Sequence, residues 1–122
     1  MTLILPWTPF PYSGGLTTCE AIWMGVPVIT KPGETFASRT SLSHLTNVDA
    51  PELVAEELPD YVEKAVELAN DISRLTDLRS GLRGQMAKSA LCDGKKFASD
   101  FTSAMRHVWE QCCSEAKPNL VL

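Results

Sequence analysis

Basic charge is scarce in this chain. Eleven Lys and Arg face fifteen Asp and Glu, for a formal net charge of -4. Lys95-Lys96 is the one adjacent basic pair, and a solvated helix face accounts for it. That balance argues against a nucleic-acid binder, which usually shows a basic patch. Cysteine is also sparse and unpatterned. Cys19, Cys92, Cys112 and Cys113 form no CxxC and take no zinc-ligand spacing with His44 or His107. A reduced, cytoplasmic chain is expected from that usage. No apolar run is long enough to cross a membrane. Residues 1–6 are too short for a secretory core and lack basic flanks. Internal repeats and low-complexity segments are missing. What remains is ordinary for a soluble globular protein: 122 residues, 44% hydrophobic and 21% charged, enough for one small domain with a real core.

The stretch around which the chain is organised is Pro11-Tyr12-Ser13-Gly14-Gly15-Leu16-Thr17-Thr18-Cys19-Glu20 and its continuation to Thr30. It predicts a glycine turn, a short helix over 17–24, a stop at Gly25 and a buried strand over 26–30. Gly14 and Gly15 allow close approach of a ligand to the backbone. Thr17 or Thr18 is placed to cap the helix. The free N–H groups and positive dipole end of that helix suit a phosphate. Glu20, one turn further in, can accept hydrogen bonds from two ribose hydroxyls. On these residues alone a plain turn and a helix-dipole partner explain the pattern more simply, because short motifs match by chance.

Elsewhere, Leu3-Ile4-Leu5 predicts a strand stopped by Pro6, Pro9 and Pro11. Trp7, Phe10 and Tyr12 follow in a loop and are expected to pack. A helix is expected over 36–46, with His44 structural and Glu34 paired with Arg39. Residues 51–56 predict a third short strand or a helical turn. Asp60 is expected to cap the next helix, whose apolar face is Val62, Ala65, Val66, Ala69 and Ile72. Leu75, Leu78, Leu82 and Met86 form a second stripe; Phe97, Phe101, Ala104, Met105, Val108 and Cys112 form a third on a last long helix. All three stripes are expected to be core. Alternation of strand and helix predicts an α/β fold with a short parallel sheet, flanking helices and a long C-terminal helix.

The segment from Pro9 to Thr30, with Pro32-Gly33-Glu34-Thr35-Phe36-Ala37-Ser38-Arg39, closely resembles the C-terminal catalytic lobe of the O-linked N-acetylglucosamine transferases, glycosyltransferase family 41. The resemblance is strongest to the bacterial, SPINDLY-like branch that follows tetratricopeptide repeats, and it continues to about Trp109. It implies part of a Rossmann-like lobe of a GT-B enzyme over residues 1–115, with 116–122 as a tail. It implies transfer of N-acetylglucosamine from UDP-GlcNAc to protein Ser or Thr without a metal or other cofactor; related members use other nucleotide sugars, including GDP-fucose.

Carried over position by position, Gly14 and Gly15 shape the turn. Gly15, Leu16 and Thr17 present backbone N–H groups to the diphosphate, Thr17 adds its hydroxyl with Thr18 as the alternative, and Glu20 binds the ribose. Animal members have histidine at the Gly15 position, threonine at Leu16 and aspartate at Glu20, so here only the backbone serves at the first two. Thr8 stands where aspartate is expected. The family's catalytic lysine, the histidines near the acceptor, the first lobe and the repeats that bind protein acceptors all lie upstream of this segment. The chain alone is therefore expected to be an inactive fragment with no catalytic residue of its own. A non-catalytic interaction module built on the long helices is the alternative, and another GT-B-like enzyme lobe is a third.

Overall fold

The computed structural model describes Thr8 and residues 11–115. The chain divides into two compact units, Met1–Cys92 and Asp93–Leu122. The first holds α1 (Leu16–Trp23), α2 (Thr40–Asn47), α3 (Leu58–Asn70) and α4 (Ile72–Lys88), with single 3-10 turns at Phe36–Ser38, Pro51–Leu53 and Ala90–Cys92. The second holds α5 (Gly94–Glu115).

The expected parallel sheet is not present: the described residues contain no strand. The pairing between described residues is an isolated parallel bridge of Thr30 with Val54, with Thr30 N–H donating to the Leu53 carbonyl and Ala55 N–H to the Thr30 carbonyl. On the side of Val54 the pairing is kept short by its own segment. Pro51–Leu53 is a 3-10 turn and α3 starts at Leu58, which leaves no room for a ladder. Pro27 also removes one donor from the other side. The strand expected at residues 3–5, with Trp7 and Phe10, lies outside the described residues.

Gly25 stops α1 as expected. It sits at φ +73°, and its N–H donates to the Ile22 carbonyl while Val26 N–H reaches back to the Ala21 carbonyl. These two bonds make a Schellman motif, which satisfies the last carbonyls of the helix. The turn also lets α1 pack on α4, where the Arg83 guanidinium lies 4.7 Å from the Trp23 ring centroid.

Helix α4 is capped by Asp71, whose carboxylate accepts from Arg74 N–H at 2.9 Å. Its stripe is core as expected at three positions: Leu75, Leu82 and Met86 are buried with Ile22, Leu45, Val48 and Leu53, and Leu78 packs partly buried against them. The stripe on α3 is core only at Ala65 of the expected Val62, Ala65, Val66, Ala69 and Ile72. Tyr61, Ala65 and Leu68 are buried, and Val62 and Val66 are exposed. Asp60 does not cap α3; it sits in the first turn and accepts from Glu56 N–H at 2.8 Å. The stripe on α5 is not core either. Phe97, Phe101, Met105 and Val108 are about half exposed or more, and the Phe97 and Phe101 rings stack at 5.9 Å.

Candidate functional site

The glycine turn leads directly into α1, with Gly15 as its N-cap residue. Neither threonine caps the helix: among the described residues no side chain accepts at its N-terminus. The first turn also carries no acidic residue. The positive end of the dipole is thus left without a carboxylate in the first turn of its own helix. Leu16, Thr17 and Glu20 are all exposed. Leu16 and Glu20 are four residues apart and share a face, separated by roughly 6 Å along the axis at about 1.5 Å per residue. Thr17 and Glu20, three apart, are neighbours in the same way.

Thr18 points the other way. It is buried, and its Oγ1 donates to the Gly14 carbonyl at 2.9 Å and lies 2.9 Å from Ser41 Oγ. Ser41 Oγ donates to the same carbonyl at 2.8 Å. Ser13 completes the cluster: Ser41 N–H donates to its Oγ, and its own N–H and hydroxyl both donate to the Ala37 carbonyl. Gly14 is buried among these hydroxyls, and a Cβ there would meet Thr18 Oγ1 at 2.6 Å and Thr17 Oγ1 at 2.8 Å. At Gly15 the nearest neighbours of an added Cβ are Thr40 and the Tyr12 hydroxyl, at ordinary contact distance. Ser13 and Ser41 were not legible as site residues; their one trace is the crowd of hydroxyl side chains at Ser38, Thr40, Ser41 and Ser43.

The other candidates are placed as follows. Thr8 is buried, with its hydroxyl 3.2 Å from the Ile29 carbonyl oxygen and 3.3 Å from Thr30 Oγ1. Arg39 does not pair with Glu34; it donates to the Gly33 carbonyl at 3.1 Å. It lines a cavity of about 530 Å³ along α2 with Phe36, Thr40, Ser43, His44 and Asn47. Burial pushes the His44 imidazole below its ordinary pKa, and its Nδ1 has no hydrogen-bond partner among the described residues. Burial first, then Cys92 and the Glu20 carboxylate, push the Cys19 thiol up, which keeps it a poor nucleophile. Among the described residues no three His, Cys, Asp or Glu side chains converge as a metal site, and no helix is long and apolar enough to cross a membrane.

Comparison with known proteins identifies the setting of this turn. Residues 7–101 match the family described as Glycosyl transferase family 41. A rice protein (Oryza sativa subsp. japonica) named "Probable UDP-N-acetylglucosamine--peptide N-acetylglucosaminyltransferase SPINDLY" is 44% identical over 111 residues, covering 91% of this chain and 12% of that protein. The UDP-N-acetylglucosamine--peptide N-acetylglucosaminyltransferase of Caenorhabditis elegans is 32% identical over 99 residues, 81% of this chain and 9% of that protein. Among solved structures, a mutant of the Thermobaculum terrenum O-GlcNAc transferase superposes with a TM-score of 0.84 at 34% identity, over 93% of this chain and 22% of that one. The chain therefore spans a small part of the length of the relatives it matches. With the match running through the glycine turn and the four helices of the first unit, the chain belongs to glycosyl transferase family 41.

Proposed function

We propose that this chain supplies the nucleotide-binding end of a sugar-nucleotide site in a transferase that glycosylates protein serine or threonine. The observation that carries this is the uncapped N-terminus of α1 behind the Gly14-Gly15 turn, with the exposed Glu20 carboxylate one turn in. Backbone N–H groups of Gly15, Leu16 and Thr17, with the Thr17 hydroxyl, receive the diphosphate. Glu20 accepts from the ribose hydroxyls. The names of the relatives support UDP-N-acetylglucosamine as donor and a peptide as acceptor. The acceptor is bound by parts of a longer protein. The cation that stabilises the leaving diphosphate comes from other parts of a longer protein, so the chain alone transfers no sugar.

Glu20→Ala is expected to weaken UDP binding about tenfold to a hundredfold, as hydrogen bonds to a charged group are lost. Titration calorimetry of UDP into both proteins checks this. Equal affinity would remove Glu20 from the site. Tighter binding of GDP than UDP would change the donor, and sugar transfer by the isolated chain would refute its inactivity. A second reading, a non-catalytic interaction module, is favoured by one observation: Phe97, Phe101, Met105, Val108 and Trp109 are all exposed on α5. It requires a tight oligomer in sedimentation and no response to UDP.

A further inference from the structure

We infer that Thr18 and Ser41 are positioning residues: their hydroxyls turn the Gly14 carbonyl inward and thereby aim the Gly15 N–H outward, toward the diphosphate. The inference rests on the nucleotide site proposed above and goes further, to what orients it.

The geometry is that of one peptide plane. In a trans peptide the carbonyl oxygen of Gly14 and the N–H of Gly15 point in opposite directions. The carbonyl is held on its buried side by Thr18 Oγ1 at 2.9 Å and Ser41 Oγ at 2.8 Å. The N–H is consequently directed away from that cluster. Glycine on both sides of the bond gives the plane freedom to rotate, so without an anchor it would sample other orientations. Ser13 fixes the approach to the plane from the other end, through Ala37 and Ser41 N–H. These partners come from the segment before α1, from α1 itself and from α2, so the cluster also ties the turn to the body of the unit.

The proton count makes the device redundant. Three oxygens, those of Gly14, Thr18 and Ser41, are in mutual contact, and the two hydroxyls carry two protons between them. If one hydroxyl is removed, the other still donates to the carbonyl. If both are removed, a buried carbonyl loses its side-chain donors. The two residues must therefore act non-additively.

The test uses the whole chain, with UDP as the probe, in Thr18→Val, Ser41→Ala, the double variant and Thr18→Ser. Each single loss is expected to weaken UDP about threefold and the double loss about fiftyfold, more than the product of the two. Thr18→Ser, which keeps the hydroxyl, is expected to restore binding. The Gly15 amide resonance is expected to move in the double variant before any ligand is added. If wild type binds UDP and the folded double variant binds equally well, the positioning role is overturned and the nucleotide site stands. If wild type binds no UDP, the nucleotide site falls. An unmoved Gly15 amide then overturns the orientation of the peptide plane as well. If the double variant does not fold, the pair Thr18→Val and Thr18→Ser decides: equal affinity in the two would overturn the role of the hydroxyl.

Discussion

Gly25→Ala is expected to cost the first unit about 3 kcal/mol, the sum of a left-handed backbone penalty of ~1–2 kcal/mol and an overpacking penalty of ~1–3 kcal/mol. Gly25 holds φ +73°, where a side chain is strained. A Cβ built there would lie 2.4 Å from the Arg79 carbonyl oxygen. That atom belongs to the backbone of α4 and cannot swing aside as the end of a flexible side chain would. Relief requires α1 and α4 to separate, which opens the contact between the Trp23 ring and Arg83. Urea unfolding followed by circular dichroism measures the loss. Gly81→Ala is the control, because nothing lies within 4 Å of its added Cβ. In a helix interior that change is expected to stabilise by about 0.5–1 kcal/mol.

Leu82→Ala is expected to be equally severe, at about 3–4 kcal/mol, through lost burial and the cavity left behind. Leu82 is fully buried on α4 and packs in the cluster with Ile22, Leu45 and Leu75. Domains of this size are stable by only about 5–15 kcal/mol, so a large part of the margin is removed. Val66→Ala on α3 is the matched contrast. Val66 is 55% exposed, and its truncation is expected to change stability by less than about 0.5 kcal/mol. Had the apolar face of α3 been Val62 and Val66, the two substitutions would cost similar amounts.

That contrast marks where sequence patterns reach their limit. Ala65 was legible as core, but Tyr61 and Leu68 on one side of it and Val62, Val66 and Ala69 on the other all share helical spacing with that face, and only packing decides which turn inward. On α4 there was no competing row, and Leu75, Leu82 and Met86 are core as the pattern predicts. Gly25 was legible because a helix stop needs a left-handed residue and glycine supplies it. The strand expected over 26–30 failed for a non-local reason. An apolar run becomes a strand only with a partner, and among the described residues the segment after Ala50 offers Thr30 a single bridge before it turns into α3. The exposed stripe on α5 shows a related limit: periodicity identifies an apolar face but not what covers it.

The candidate site divides in the same way. The glycine turn, the helix behind it and the outward placement of Leu16, Thr17 and Glu20 follow from local sequence. The hydroxyl cluster does not, since Ser41 is 27 residues from the carbonyl it holds. Thr18, which the family resemblance offered as the alternative hydroxyl donor to the diphosphate, donates to the Gly14 carbonyl.

The central claim is that Gly15 to Glu20 receive a nucleotide diphosphate and its ribose. A two-dimensional amide spectrum of the chain, recorded with and without UDP, tests it most directly. The account predicts dispersed peaks, with shifts on adding UDP concentrated at Gly15, Leu16, Thr17 and Glu20 and little change along α3. Dispersed peaks that stay still, or that move only along the α2 cavity beside Arg39 and His44, would contradict it.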